Sequence, residues 1–154
     1  VSVINGQTNS VVQTISVGSN PRGVGVDPQT DMIYVANYNS ANVSVINGQT
    51  NTVVQTVSVE NKPDAIGVDP QTDMIYVANW GDNTVSVING QTNSVVQTIS
   101  VGDEPYAVGV NPKTDMIYVA NYKDNTVSVI NGQTNSVVAT IPVGNGPTGI
   151  GVLY

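Results

Sequence analysis

The sequence predicts an all-β fold built from a repeated unit, and three observations support this prediction. The segment MIYVAN at Met32 to Asn37 recurs unchanged at Met74 to Asn79 and at Met116 to Asn121. The flanking segment VSVINGQTN recurs with the same 42-residue spacing, without an insertion or a deletion. Valine and isoleucine carry most of the hydrophobic content, and β-branched residues favour strands over helices. A period of this length is typical of a propeller, a solenoid or an array.

Turn residues divide each repeat into four short strands, labelled a to d. In the first repeat these strands are predicted at Gly23 to Val26, Met32 to Ala36, Val43 to Ile46 and Val53 to Val59. The two glycines of strand a indicate a close backbone approach near a crowded axis. Strand b is apolar at every position and must be covered on both faces, whereas the mixed strand d predicts a partly exposed outer edge.

Four antiparallel strands per repeat, with this inner-to-outer pattern, predict a β-propeller of four-stranded blades. A β-helix is the alternative, but it requires shorter coils. The predicted domain, or propeller segment, has a partial blade at 1–17, whole blades at 21–59, 63–101 and 105–143, and a partial blade at 147–154. The last partial blade contributes only a strand a, at Gly149 to Val152, which gives fifteen strands in all. Open sheet edges associate, so we expect a homo-oligomer that completes a larger ring, or a segment of a longer repeat protein.

The order of these segments resembles a known repeat family. Pro21 is followed by the GVGV strand, then by IYVAN, NVSVI and VVQTISVG, and this order resembles the YVTN β-propeller repeat of bacterial and archaeal surface proteins. The resemblance covers the whole chain, but Ala36, Ala78 and Ala120 stand where that motif has threonine. It implies a cell-surface or secreted protein with a structural or interaction role, and it implies no single chemistry.

Composition excludes several classes of function. The chain of 154 residues has 11 acidic and 4 basic residues, a net charge of −7, so we expect neither nucleic acid nor a membrane surface as a partner. The four basic residues are spread across the repeats and predict no basic patch. Without histidine or cysteine, the usual triads and the zinc, copper and haem ligands are missing, and we expect no cofactor.

Repeated carboxylates are the remaining candidate metal ligands. Asp27 with Asp31, and Asp69 with Asp73, occupy the a-to-b turns. Asn111 replaces the first of them in the third repeat, and the turn lacks the ligand alternation of a calcium loop. The sequence therefore predicts solvated turns without a metal.

Comparison of the repeats with one another locates a candidate binding face. Most differences fall in the d-to-a and b-to-c loops, which emerge on the same face because strands of a blade alternate in direction. The candidate residues are Arg22, Tyr38, Lys62, Asp64, Trp80, Glu104, Tyr106, Tyr122 and Thr148. Two interpretations stay open. The differences could be neutral drift, since loops tolerate change where little packs on them, or they could mark a binding face, since Tyr and Trp are typical of binding surfaces. The aromatic residues are equally compatible with packing between blades.

The sequence thus predicts a non-enzymatic structural or interaction scaffold that displays varied loops on one face to a protein partner. The alternative is a lectin-like module that binds carbohydrate through Tyr38, Trp80 and Tyr122. A lyase or hydrolase is a third hypothesis, which the missing histidines disfavour.

Overall fold

The computed structural model describes residues 1–153, and every regular element in this range is a β-strand. The fourteen strands are β1 (Ser2–Asn5), β2 (Ser10–Thr14), β3 (Pro21–Asp27), β4 (Met32–Asn37), β5 (Asn42–Asn47), β6 (Thr52–Ser58), β7 (Pro63–Asp69), β8 (Met74–Asn79), β9 (Thr84–Asn89), β10 (Ser94–Ser100), β11 (Pro105–Asn111), β12 (Met116–Asn121), β13 (Thr126–Asn131) and β14 (Ser136–Pro142). The described residues include no helix that is long and apolar enough to cross a membrane.

The strands form three four-stranded antiparallel sheets and one two-stranded sheet. Neighbours in sequence are neighbours in space in each of them, with the orders β3-β4-β5-β6, β7-β8-β9-β10 and β11-β12-β13-β14, while β1 pairs with β2. Inner strand β7 lies between inner strands β3 and β11, so successive sheets pack side by side. The predicted fold class, a β-propeller with four-stranded blades and a 42-residue repeat, is confirmed.

Each pair of blades shares one hydrophobic core, because side chains on a strand point alternately to the two faces of the sheet. Between the first and second whole blades the buried core residues are Tyr34, Val43, Val45, Val57, Ile75, Val77 and Ile88. The same positions recur between the second and third whole blades, where Tyr76 takes the place of Tyr34. Strand b is therefore covered on both faces, as its apolar sequence predicts.

The inner and outer strands also agree with the sequence pattern. A Cβ added at Gly67 would lie 2.6 Å from Cγ1 of Val108 in the next blade, so glycine is needed for the close approach of the inner strands. In contrast, the outer strands β6 and β10 are exposed except at Val57 and Ile99.

The strand expected at Gly149 to Val152 is not formed, and this part of the prediction was wrong. Ile150 and Val152 pack against the position of Gly109, as the corresponding residues of an inner strand would. In the whole blades strand a forms its ladder with strand b, and no described residue supplies a strand b here. The described chain therefore has fourteen strands.

Candidate functional site

The d-to-a and b-to-c loops lie side by side in every whole blade, joined by backbone hydrogen bonds. In the first whole blade the Tyr38 N–H donates to the Asn20 carbonyl over 3.1 Å, and the Asn39 N–H donates to the Ser19 carbonyl over 3.2 Å. The matching bonds in the next two blades are Trp80 to Lys62, Gly81 to Asn61, Tyr122 to Glu104 and Lys123 to Asp103. The two varied loops therefore form one face, called here the loop face.

Part of the variation on the loop face has a structural role. Oγ of Ser40 accepts a 2.8 Å hydrogen bond from the Ser19 N–H. Asp82 and Asp124 occupy the same position in the next repeats, and a carboxylate oxygen of each accepts a 2.8 Å bond from the corresponding N–H. The residue at this position changes between repeats, but the hydrogen-bond acceptor is kept.

Arg22, Tyr38, Lys62, Asp64 and Trp80 form a cation–aromatic cluster across the boundary between the first two whole blades. The guanidinium carbon of Arg22 lies 3.6 Å from the centre of the Tyr38 ring, and its Nη1 donates a 2.6 Å hydrogen bond to Oδ1 of Asp64. Nζ of Lys62 lies 4.6 Å from the centre of the Trp80 ring. The Tyr38 and Trp80 ring centres are 6.3 Å apart. Two of the four basic residues thus lie near one ring, since Nζ of Lys62 is also 6.0 Å from the centre of the Tyr38 ring.

The ion pair in this cluster is partly shielded from water. The Asp64 side chain is 6% exposed, whereas the Arg22 side chain is 39% exposed. The hydrogen bond with Asp64 raises the pKa of Arg22, and the negative charge of Asp64 adds to this effect against the opposing effect of burial. The pair therefore links the inner strands of two blades through a charge-assisted hydrogen bond.

Beside the cluster lies an open groove of about 460 Å³ between inner strands. It is lined by Arg22, Gly23, Val24, Asp64, Ala65, Ile66 and Tyr106. The groove offers an aromatic ring, a charged pair and an apolar wall, which is the combination expected of a binding groove. Asp64 is its one carboxylate, and Arg22 already occupies an oxygen of that group.

The remaining predicted residues do not all join the cluster. Tyr122 packs against Tyr106, with 6.0 Å between ring centres, and so does not extend the Tyr38 and Trp80 pair. Glu104 is half-buried, and its backbone N–H donates to Oδ1 of Asn83. Thr148 is exposed and does not line the groove.

The groove also contains residues that comparison of the repeats did not single out. These residues belong to inner strands β3 and β7, whose sequences indicate only a structural role. They are Gly23, Val24, Ala65 and Ile66. The sequence could have indicated them, because these residues directly follow the candidate residues Arg22 and Asp64 in the chain.

On the opposite face the first aspartate of the a-to-b turn is not solvated as predicted. Asp27 and Asp69 are fully buried. Oδ1 of each accepts a backbone N–H two residues later, over 2.8 Å for Asp27 and 2.9 Å for Asp69. Each faces a carboxylate of the next repeat, Asp73 and Asp115 respectively, instead of the aspartate of its own turn. The error arose because the next blade covers this one position of the turn, which a single repeat does not reveal.

This burial alters the ionisation of the facing groups. Burial raises the pKa of Asp73 and of Asp115, and the charges of Asp27 and Asp69 raise them further. Burial, with the charges of Asp73 and Asp27, also raises the pKa of Tyr34 to about 12. Among residues 1–153 no group of three or more His, Cys, Asp or Glu residues is arranged to hold a metal ion.

Comparisons with known proteins agree with the fold. The model of the family described as "Lactonase, 7-bladed beta-propeller" matches residues 48–147, which is more than half of the chain. Among solved structures, Kuenenia stuttgartiensis hydrazine synthase is similar, with a TM-score of 0.80 and 25% sequence identity over 91% of this chain. The chain spans 42% of that protein chain. A search of curated proteins finds no match. The chain belongs to the lactonase family of seven-bladed β-propellers.

Proposed function

We propose that this chain is a non-enzymatic interaction module that binds a protein partner through the loop face. The observation that supports this most strongly is the cation–aromatic cluster, because its side chains already contact one another across two blades. Aromatic and arginine side chains contribute much of the binding energy in protein interfaces. A surface that is already ordered loses less entropy on binding.

One cation of the loop face, Lys62, supports a partner with an acidic group, although the same loops also carry Asp82, Asp103, Glu104 and Asp124. Three of the four basic residues, Arg22, Lys62 and Lys123, belong to the loop face, although the chain carries a net charge of −7. Asp64 neutralises Arg22, and Lys123 lies 3.8 Å from Asp103, so Lys62 is the cation best placed to meet a partner carboxylate. Lys62 is exposed and lies over Trp80, so a bound acidic side chain would contact both.

Peptide and glycan arrays test this proposal with two matched variants. One variant removes three loop-face rings, Tyr38→Ala/Trp80→Ala/Tyr106→Ala. The other changes three exposed residues of the opposite turns, Gln49→Ala/Gln91→Ala/Gln133→Ala. We expect peptide binding that weakens about tenfold or more in the first variant, as loss of central aromatic residues does elsewhere, and is unchanged in the second. Absence of peptide binding by the parent chain, or equal losses in both variants, would contradict the proposal.

Carbohydrate recognition is the second candidate, and the groove favours it. Tyr106 is 39% exposed and stands beside the Arg22–Asp64 pair, so a ring-shaped ligand could stack on the phenol while its hydroxyl groups meet charged atoms. Binding on the glycan array alone, lost on Tyr106→Ala but retained on Tyr122→Ala, would select this candidate.

The parent chain and its variants should also be assayed for hydrolysis of a lactone, because the family is described as a lactonase. Release of acid from a simple lactone, abolished by Asp64→Asn or Glu104→Gln, would establish hydrolysis in place of binding. The sequence has no histidine to serve as base, so we expect no such release.

We also propose that the blades described here form part of a larger ring, made by further copies or further blades, in a cell-surface or secreted scaffold. The resemblance of the repeats to the YVTN family motivates the setting. An uncovered blade face motivates the ring, since Ile141 is 45% exposed whereas Ile99, at the same position one repeat earlier, is 6% exposed. Growth of the assembly by blade stacking would hide Ile141 as Ile99 is hidden.

A further inference from the structure

At each boundary between whole blades, two aspartates and one tyrosine each have a buried oxygen without a hydrogen-bond partner. They are Asp27 Oδ2, Asp73 Oδ1 and Tyr34 Oη at the first boundary, and Asp69 Oδ2, Asp115 Oδ1 and Tyr76 Oη at the second. Buried polar groups in proteins are normally satisfied, and an unmade bond costs about 1 to 3 kcal/mol. The same arrangement occurs at both boundaries, so it is a property of the repeat.

At the second boundary the geometry brings the Asp115 and Tyr76 oxygens together. A Cβ placed on Gly132 would overlap Oδ1 of Asp115 and lie 3.0 Å from Oη of Tyr76, so the carboxyl and phenol groups converge beside this glycine. Tyr76 is fully buried. Oδ1 of Asp69 is held in its turn by the Gln71 N–H, which leaves Oδ2 directed elsewhere.

Two facing carboxylates would place two negative charges in a buried region without a compensating cation. The ion pairs among the described residues, Arg22 with Asp64 and Lys123 with Asp103, belong to the loop face. Lys113 lies in the same turn as Asp115, but it is exposed and makes no ion pair in the part of the chain described. Buried unpaired charges are costly, and such groups change protonation instead.

A proton suits this arrangement better than a metal ion. Calcium takes about six to eight oxygen ligands, whereas each boundary provides three unpartnered oxygens, one of which belongs to a neutral phenol. A single proton converts one carboxylate into a donor for the other and removes one charge. The hydrogen bond that this proton forms gives a partner to one previously unpartnered oxygen of each carboxyl group.

We propose that each of these two boundaries holds one proton between its paired carboxyl groups, Asp27 with Asp73 and Asp69 with Asp115, so that acid stabilises the contact between blades. The titratable groups that face Asp73 are Asp27 and Tyr34, and those that face Asp115 are Asp69 and Tyr76. Both tyrosines are neutral, because burial raises their pKa above the ordinary value.

The direction of the pH effect follows from the raised pKa of Asp73 and of Asp115. A carboxyl group whose pKa is higher in the folded than in the unfolded chain binds more protons when folded. Its stabilising contribution is complete below the ordinary aspartate pKa of about 3.9 and is lost as pH rises through the raised value. This slope is opposite to that of an aspartate in a salt bridge.

The third repeat supplies a precedent for the variant that tests the proposal. Asn111 replaces the buried aspartate there, and its Oδ1 accepts a 3.1 Å bond from the Lys113 N–H, so an amide preserves the turn. In Asp27→Asn/Asp69→Asn the same bond would remain, and the amide N–H₂ would face Asp73 and Asp115 as a permanent donor. This variant therefore imitates the protonated pair at every pH.

The experiment is urea unfolding of the full chain from pH 3.5 to 8, followed by the fluorescence of Trp80, the single tryptophan. The quantity compared is the folding equilibrium constant of the variant divided by that of the parent. We expect this ratio to rise with increasing pH and then to level off. The rise should be at most about a hundredfold per pH unit, because two protons are involved. The control is Asp31→Asn, at the exposed position equivalent to Asp73, where Gln49 Nε2 donates to Oδ2. This control should not reproduce the rise.

Infrared spectroscopy provides a second measurement that does not depend on unfolding. The carbonyl band of a protonated carboxyl group should persist in the parent chain well above pH 4 and be absent from the double variant. A flat ratio together with no such band would overturn the proposal. Stabilisation of the parent by calcium chloride, reversed by a chelator and absent from the double variant, would also overturn it, because a metal ion would then hold the pair.

Discussion

Arg22 and Asp64 occupy the same position in successive repeats, and Nη1 of Arg22 lies 2.6 Å from Oδ1 of Asp64. Equivalent positions therefore meet across a blade boundary, where two identical charged residues would repel each other. The third repeat has Tyr106 at this position, which lines the groove next to the pair. An oppositely charged pair can form here only because the residue at this position differs between repeats. The ion pair of the loop face therefore depends on a difference between the repeats.

A double-mutant cycle on Arg22 and Asp64 measures the strength of this ion pair. Because Asp64 is buried and Arg22 is partly exposed, we expect Arg22→Ala to destabilise the chain by about 1 to 2 kcal/mol, less than for a fully buried pair. The measurement is urea unfolding of both single variants and the double variant. Lys123→Ala is the control, since Lys123 and Asp103 are exposed and 3.8 Å apart, and it should change stability by less than about 0.5 kcal/mol. A coupling energy of zero for Arg22 and Asp64 would contradict this account.

Ala41 is the position where the first repeat lacks a hydrogen bond that its successors make. Oδ1 of Asn83 accepts from the Glu104 N–H over 2.9 Å, and Oδ1 of Asn125 accepts from the Gly146 N–H over 2.8 Å. Ala41 has the same left-handed backbone, with φ of 49°, a conformation that asparagine tolerates better than alanine.

We therefore predict that Ala41→Asn stabilises the chain by about 1 kcal/mol, from the added bond and the relieved backbone. Its carboxamide should accept from the Lys62 N–H, the counterpart of the Glu104 N–H. Thermal unfolding measures the effect, and Ala41→Gly separates the two causes because it relieves the backbone without adding the bond. Equal stability of the Asn and Gly variants would show that the bond is not formed.

Ile99 and Ile141 have the same place in the repeat but different burial, at 6% and 45% exposure. We expect Ile99→Ala to destabilise the chain by about 2 to 4 kcal/mol, as truncation of a buried isoleucine does. Ile141→Ala should cost less than about 1 kcal/mol in the isolated chain, since little apolar area is lost. Denaturant unfolding of both variants at low protein concentration makes the comparison. Equal costs would show that Ile141 is already covered.

Most of the fold was predictable because it depends on patterns within one repeat. Met32 to Ala36 is apolar throughout, and a strand of that kind can only be buried on both faces, as Tyr34 and Val35 are. The strand expected at Gly149 to Val152 failed for a related reason, since strand a is held by pairing with strand b. Local propensity does not supply the missing partner.

The candidate site was less predictable, because it depends on contacts between repeats. The sequence placed Tyr38, Trp80 and Tyr122 in equivalent loops, yet only the first two pack together, and Tyr122 packs on Tyr106 instead. Asp27 has its own turn partner at Asp31 in the sequence but faces the next repeat in the structure. Comparison of the repeat sequences aligns equivalent positions. Packing of the blades also brings non-equivalent positions into contact.

Light scattering of the full chain, coupled to size-exclusion chromatography, most directly tests whether each blade face is covered only by a neighbouring blade. Exposed apolar side chains remain on the first and third whole blades, at Val24 and Val26 of β3 and at Ile141 of β14. The account predicts a solution mass of at least twice the chain mass of 16.0 kDa, because these faces should recruit blades from further copies. A single species of 16.0 kDa at micromolar concentration would contradict it.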